Sequence, residues 1–562
     1  MNTRKHLLGA VGAALCAAFA LGVIYPLGMM LRESLTVDGH ASFRHYRDLF
    51  DLTNRVNLEA VVNSVGVSLL SVCSSALIGI FLAFVLTQCA FPGRKTLARL
   101  AVLPVALPPL VGVIAFLLVF GETGIIPRGL QHLLGTQGPV FAAGGIAGVV
   151  LVHTYSFHVY YYLFVSAALA SIDSSQLEAA VGLGSSPWRS FRRVVLPELR
   201  PAILAGSVLT FMSSMASFTA PLLFAGDRHF ITLEIYAAKL NGELERAAAQ
   251  SILLTGVSVV FFLLLAMGPL ARGLSYRGKG AGRSGLLRIT PAWSRIMITS
   301  AVLVLLLELL PVVAVVALSL AREGSWTTQW IPSSYTLDNY AAFIKDSRLL
   351  VPVLNSILMA FLALACALAF GVTASYLIAR QLKRKYATWA GAALSVPYAV
   401  PGTVIAIALI LAYNIPSVLG MRMVLVGTFW IMPLAYFIRE YPMVVRSVTA
   451  SLERLDGSQM EAAAGLGAGA WRQFRSVALP AVLPGIVAGG LLVVIGALGE
   501  FVASLLLYSY SSRPISVEIL AQLRQFNIGL ASAYSVILMG IILFAVRLAR
   551  FVSREDAISA PR

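Results

Sequence analysis

Long apolar stretches recur along this chain, separated by short polar connections. Twelve of them lie near residues 7–31, 60–86, 97–120, 141–168, 202–225, 250–272, 297–320, 353–379, 388–413, 424–446, 482–508 and 532–551. A hydrocarbon layer about 30 Å thick takes roughly 20 apolar residues of helix to cross, and each stretch reaches that length. The runs are continuous and do not alternate, so they predict helices and not the strands of a barrel. The expected fold is an all-α polytopic membrane protein of about twelve transmembrane helices.

Composition agrees with the pattern. Of 562 residues, 58% are hydrophobic and 12% charged, against roughly a quarter charged in soluble domains. The net charge of +17 would suit a nucleic-acid partner if it formed one patch. It does not. Arg4 and Lys5 precede the first span, Arg94, Lys95 and Arg99 follow the second, and Arg189, Arg192, Arg193 and Arg200 follow the fourth. Arg272 to Arg295 follow the sixth, Arg380 to Lys385 the eighth, and Arg547, Arg550 and Arg554 the last. With twelve spans all these groups fall on one side, the cytoplasmic side by the positive-inside rule. Both termini are then expected in the cytoplasm of a bacterial cell whose inner membrane holds the chain. Nucleic-acid binding is not expected. The apolar run after Lys5 is longer than a signal-peptide core of about 7–15 residues, and no small-residue cleavage site closes it, so it is expected to be a retained span. Cys16, Cys73, Cys89 and Cys366 lie in or beside apolar runs without C-x-x-C spacing, which suits free thiols packed in helices.

The sequence also repeats. Asn63-Ser64 matches Asn355-Ser356, Pro104 and Pro108 match Pro397 and Pro401, and the segment Phe218 to Glu234 resembles Phe501 to Glu518. Each copy carries six spans, so the two have the same orientation, as in a parallel duplication. We expect a first half at 1–272, a cytoplasmic linker at 273–295 rich in Gly and Arg, and a second half at 296–562.

The most informative repeat is a polar loop. It reads DSSQLEAAVGLGSSPWRSFRRVVLPELRP from Asp173 to Pro201 and DGSQMEAAAGLGAGAWRQFRSVALPAVLP from Asp456 to Pro484, with Glu178 and Glu461 standing 283 residues apart. Asp173 and Asp456, with Gln176 and Gln459 three residues on, predict a capped helix start. Gly182 with Gly184, and Gly465 with Gly467, predict its end. Ser186-Pro187 predicts the start of a second short helix in the first copy, and Pro197 and Pro480 are expected to close that second helix. A short helix faced with Ala and Gly permits close approach of another surface, and its Glu offers a charge partner.

Here the chain resembles the permeases of binding-protein-dependent ABC importers, whose cytoplasmic signature is E-A-A, three residues, G, nine residues, then an aliphatic residue, any residue, Leu and Pro. Glu178-Ala179-Ala180, Gly184, Val194, Leu196 and Pro197 fit it, as do Glu461-Ala462-Ala463, Gly467, Val477, Leu479 and Pro480. The resemblance implies a type I importer fold with both permease halves in one chain. It implies that each loop docks into a separate ATP-binding subunit, two copies in all, with Glu178 and Glu461 at the contact and Gly184 and Gly467 shaping the turn. An extracytoplasmic solute-binding protein would deliver the cargo. ATP and magnesium would be bound by the partner, and no cofactor, metal site or catalytic residue is expected in this chain. Gly273, Gly278 and Lys279 give G-x-x-x-x-G-K, but Gly280 stands where a phosphate loop needs Ser or Thr.

Charges within spans are costly and often functional. Glu500, with Ser217 as its counterpart 283 residues earlier, is the candidate for the translocation pathway. Glu308 has no partner visible in the sequence. Arg439 and Glu440 are expected to pair with neighbouring helices or line a vestibule. His153 and His158 are five residues apart, about 140° around a helix, which disfavours joint metal ligation. Asp227 to His229 and Lys239 to Arg246 fall in extracytoplasmic loops, where the candidates are a binding-protein surface and an unpartnered solvated loop. An ion-coupled secondary transporter is the competing class, and it would leave the duplicated loops unexplained. The fused form resembles ferric-iron permeases most, with thiamine and phosphonate permeases as the alternatives.

Overall fold

The computed structural model describes residues 2–51, 53–141, 143–172, 174–267, 291–326, 329–417, 420–455 and 457–559. They are overwhelmingly helical, as the continuous apolar runs require. Among them the extended pairings are the short hairpin Thr36–Val37 with His40–Ala41 and one isolated bridge between Ala321 and Tyr335. Gly273, Gly278 and Lys279, with all of the expected linker before residue 291, lie outside the described residues.

Nine of the described helices are long and apolar enough to cross a membrane. The bent pair Lys385–Ala399 and Gly402–Tyr413 makes a tenth. The two other expected spans are present as helices too, Gly145–Ser171 and Ile431–Leu452. They carry His153, His158 and four tyrosines in one case, and Arg439, Glu440 and Arg446 in the other. These side chains lower their hydropathy, and most of them are turned inward: His153, His158, Tyr155, Tyr161, Tyr162, Glu440 and Tyr441 are all buried.

The chain packs as two compact units. One comprises Tyr46–Ala237 and Ile252–Tyr335; the other comprises Met1–His45, Ala238–Ser251 and Thr336–Arg562. The packing units therefore exchange leading helices relative to the sequence repeat. Pro291–Ser319 belongs with the helices of the first repeat, and the stretch up to Ser34 belongs with those of the second.

In the unit built on the first repeat, helices Arg55–Gln88, Gly145–Ser171 and Leu196–Met215 pack on one another. Leu82, Val85, Val165, Leu169 and Leu199 form a core that also takes in Ala301 and Leu305 from Pro291–Ser319. That helix brings Glu308 with it, whose Oε1 lies 3.1 Å from His158 Nε2, so the carboxyl for which the sequence offers no partner has one. Close approach rests on glycine, as is common where lipid supplies no hydrophobic drive between helices. A Cβ at Gly79 would run into the His158 carbonyl, and one at Gly206 would sit 2.8 Å from the Tyr161 ring.

The other unit repeats this plan with Val351–Gln381, Ile431–Leu452 and Leu479–Gly499. A Cβ on Gly371 would stand only 2.7 Å from the Val444 side chain, and one on Gly489 only 2.9 Å from the Val444 backbone, too close for either to fit. The leading helix Tyr25–Ser34 is tied to Gly402–Tyr413. Tyr413 donates to the Leu21 carbonyl at 2.8 Å, Tyr25 donates to the Ala412 carbonyl at 3.1 Å, and the two rings meet edge to face.

Gly79→Leu and Gly371→Leu are expected to lower the thermal midpoint of the detergent-solubilised protein, because overpacking of this kind costs about 1–3 kcal/mol. Gly66→Ala, which faces open space, is expected to leave the midpoint unchanged or raise it. Equal midpoints for all three would contradict the packing described.

Candidate functional site

Both signature loops adopt one local geometry. Ser174–Gly182 and Gly457–Gly465 are helices of nine residues. The expected N-caps Asp173 and Asp456 lie outside the described residues. The helix ends are closed alike. Gly184 and Gly467 have φ of 76° and 79°, the left-handed region that glycine enters without a Cβ clash. Past the glycine, the Ser185 N–H reaches back to the Ala180 carbonyl and the Ala468 N–H to the Ala463 carbonyl, both at 3.0 Å. Ala179 and Ala462 accept from Leu183 and Leu466 at the same distance. This is a Schellman-type end. The alanines of the signature supply its carbonyls and the glycine supplies its turn. Glu178 and Glu461 are exposed.

The turn also lifts two leucines that sequence reasoning passed over. Leu183 and Leu466 are each 89% exposed. The signal was present, since each leucine stands between two glycines in both copies, but a lone leucine in a polar loop has no period to mark its direction.

Beyond the turn the structure corrects one expectation. Pro197 and Pro480 do not close the second short helix. Pro187–Ser190 and Ala470–Gln473 run through a π-helical turn, Phe191–Val195 and Phe474–Ala478, straight into Leu196–Met215 and Leu479–Gly499. In that turn the Leu196 N–H bonds the Phe191 carbonyl five residues back, and the Leu479 N–H bonds that of Phe474. The residue that follows in each copy is the proline, which has no N–H to lose as the register shifts. The fifth span thus extends as one helix over Trp188–Met215, and the eleventh over Phe474–Gly499.

At the far end of each long helix the ladder breaks. Ser217 lies between Leu196–Met215 and the short helix Thr219–Phe224; Glu500 lies between Leu479–Gly499 and Val502–Leu507. Each break has its carbonyl capped by a hydroxyl from the second α-helix that follows, Ile231–Leu240 or Ile515–Arg524. Thr232 donates to the Ser217 carbonyl at 2.8 Å, and Ser516 to the Glu500 carbonyl at 3.0 Å. The repeated Asn-Ser pair holds those following helices. Asn63 Nδ2 donates to the His229 carbonyl and Asn355 Nδ2 to the Arg513 carbonyl, while Ser64 and Ser356 accept from the Ile231 and Ile515 N–H groups at 3.0 and 2.8 Å. A basic-acid pair accompanies each copy, His229 with Glu234 at 2.8 Å and Arg513 with Glu518 at 2.6 Å.

The side chains at the breaks have different surroundings. Ser217 Oγ lies 2.8 Å from His153 Nε2, and Nδ1 of the same ring is 3.0 Å from Ser71 and from Ser214. Glu500 Oε2 is 2.9 Å from Arg439 Nε, its Oε1 accepts from the Ala503 N–H at 2.9 Å, and Glu440 lies 3.7 Å from the same guanidinium nitrogen. Arg439 thus reaches Glu500 at the break, whereas Glu440 meets Arg439 of its own helix. Among the described residues no three His, Cys, Asp or Glu side chains converge closely enough to hold a metal ion.

The profile of the family described as binding-protein-dependent transport system inner membrane component matches residues 75–276 and again 371–555. The chain belongs to this family. Among relatives of the permease, the probable ABC transporter permease protein y4fN of Sinorhizobium fredii is 31% identical over 82% of this chain and 81% of its own length. The ferric transport system permease protein FbpB of Actinobacillus pleuropneumoniae is 24% identical over 97% of this chain and 78% of its own. A probable molybdenum ABC transporter permease protein of Haloferax volcanii is 32% identical over 38% of this chain and 77% of its own. The double profile match accounts for the paired loops, paired breaks and paired staples of the permease.

Gly184→Val and Gly467→Val each force a β-branched residue into a left-handed conformation that costs about 1–2 kcal/mol. Both variants are expected to reach the membrane in normal amount, because the turns are exposed. Limited proteolysis is expected to cut them faster than wild type at the altered loop; an unchanged cleavage rate would show that glycine is not required there.

Proposed function

We propose that the permease carries ferric iron inward, with energy supplied by two copies of a separate ATP-binding subunit and cargo delivered by an extracytoplasmic binding protein. The observation that supports iron is the match to a ferric transport permease along 97% of the chain. The molybdenum-named relative matches 38% of the chain. Selection by the partner that delivers the ion fits a permease with no converged metal ligands among its described residues.

In this reading the loops 174–184 and 457–467 are coupling helices. The exposed Glu178 and Glu461 meet basic groups of the ATPases. Leu183 and Leu466, extended into water at 89% exposure, seat in apolar depressions, since burying one leucine contributes about 1.5–3 kcal/mol. ATP binding draws the ATPases together and the coupling helices move with them. The long helices that begin at those loops then carry the motion across the membrane, and the pathway opens outward; hydrolysis resets it. Both termini are cytoplasmic in this reading, a sidedness that the distribution of Arg and Lys supports.

The test is uptake of radiolabelled ferric iron by iron-limited cells lacking this chain, complemented with wild type, Glu178→Arg/Glu461→Arg or Leu183→Asp/Leu466→Asp. Deletion is expected to reduce uptake, wild type to restore it, and both double variants to fail while present in the membrane. Uptake unaffected by deletion in cells without another ferric system would remove the iron assignment, and thiamine, phosphonates and molybdate would be assayed next. Full uptake by both double variants would remove the coupling role.

A further inference from the structure

The duplicated break at the end of each long helix has two different locks, and the difference is chemical. Trp188–Met215 and Phe474–Gly499 are continuous helices of 28 and 26 residues, about 40 Å long at 1.5 Å per residue. Each runs from a signature loop at one end to Ser217 or Glu500 at the other. A helix of this kind is stiff, and the break is where its motion meets soft backbone dihedrals. The carbonyl at each break is fixed by a hydroxyl, from Thr232 or Ser516. The side chain is fixed by neutral groups in the first repeat, His153 with Ser71 and Ser214, and by an ion pair in the second.

That ion pair sits in a place built for it. Gly402 and Gly496 leave room for the charges. A Cβ on Gly402 would stand 2.9 Å from Arg439 Nη1 and 3.2 Å from Glu500 Oε1, and one on Gly496 would strike the Glu440 carboxylate. The matching residues of the first repeat are Pro109 and Ser213, with Ser156 and Phe157 in place of Arg439 and Glu440. The Arg439 side chain is 29% exposed while that of Glu500 is 6% exposed. The guanidinium can therefore swing away toward the accessible side, whereas Glu500, held also by the Ala503 N–H, stays behind.

We infer that Arg439 and Glu500 are positioning residues for transport, an ionic latch that holds the second-repeat break in its resting geometry and must part before the long helix can carry the motion of its coupling loop through to the gate. The latch belongs to Ile431–Leu452 on one side and to the break on the other. It resists movement of the break until the ATPases and the loaded binding protein act together. Without it the permease passes through its cycle when no cargo is present. The first repeat, which has hydroxyls and an imidazole in this place, offers less resistance. This inference rests on the coupled-permease reading above.

The measurement is ATPase activity of the full complex in lipid nanodiscs, with no binding protein and no solute, beside a thermal unfolding midpoint for each sample. Arg439→Gln strands both Glu500 and Glu440, and Glu500→Gln leaves Arg439 with Glu440 alone, so the double variant Arg439→Gln/Glu500→Gln, made and compared in a Glu440→Gln background, is decisive. It is expected to raise basal ATPase about five-fold or more, the lower range of coupling between distant sites. Its midpoint should stay within a few degrees of the Glu440→Gln parent, and its uptake per ATP should fall. Basal ATPase of the double variant at the level of that parent overturns the latch, as does a loss of ATPase and midpoint together, which marks a merely structural pair. If wild-type complex hydrolyses ATP at one rate with and without a binding protein loaded with ferric iron, thiamine, a phosphonate or molybdate, the coupled-permease reading goes and the latch with it.

Discussion

In hydrocarbon a peptide group has no water to bond, and every N–H and C=O must find its partner within the protein. Most of this chain meets that demand by remaining helical. The informative places are those where it does not. At Ser217 and Glu500 the ladder is interrupted, and the freed carbonyls are met by Thr232 and Ser516. The helices that carry those hydroxyls are themselves held at their first turn by Ser64 and Ser356, which accept from Ile231 and Ile515. The same constraint shapes the ends beside the signature loops. There a π-helical turn absorbs Pro197 and Pro480 where the proline has no donor to leave unsatisfied. The result in each repeat is one unbroken helix with a loop at one end and a capped break at the other.

Packing within each unit depends on small residues for the same reason. Lipid is as apolar as leucine, so helices gain from close fit and not from escaping water. Gly79, Gly206, Gly371 and Gly489 stand where any side chain would meet a neighbouring backbone, ring or valine side chain. The polar groups follow the same logic. His158 with Glu308 and Arg439 with Glu500 are pairs that bring basic and acidic side chains together in the interior. The inward polar side chains are what make Gly145–Ser171 and Ile431–Leu452 less apolar than the other long helices. Hydropathy falls in the helices that hold the internal polar contacts.

The two repeats agree in backbone and differ in charge. Loop helix, glycine turn, π-helical turn, long helix, break and staple recur in order, and so does the basic-acid pair beside each staple. At the break itself, Ser217 meets His153 where Glu500 meets Arg439. A fused chain can hold this asymmetry permanently, because its two copies are free to differ at one position while sharing the rest. Two identical subunits could not.

Much of this was legible in the residues. Continuous apolar runs dictate helices, and repetition at fixed spacing dictates two like halves. The signature loops carry their own turn, because Gly184 and Gly467 need no neighbours to adopt a positive φ. The Asn-Ser repeat was visible as a match but not as a staple, since its partners His229 and Arg513 lie more than 150 residues on. The prolines of the signature misled, because a proline one residue beyond a π-helical turn looks in sequence like a helix end. What the sequence alone determined is what local chemistry controls: helicity and the glycine turns that end the signature helices. What only the tertiary structure decided is which polar groups meet. Glu308 faces His158, Glu500 faces Arg439, and Pro291–Ser319 joins the helices of the first repeat, because those contacts depend on how separate helices rotate and stack, and no short-range periodicity records that.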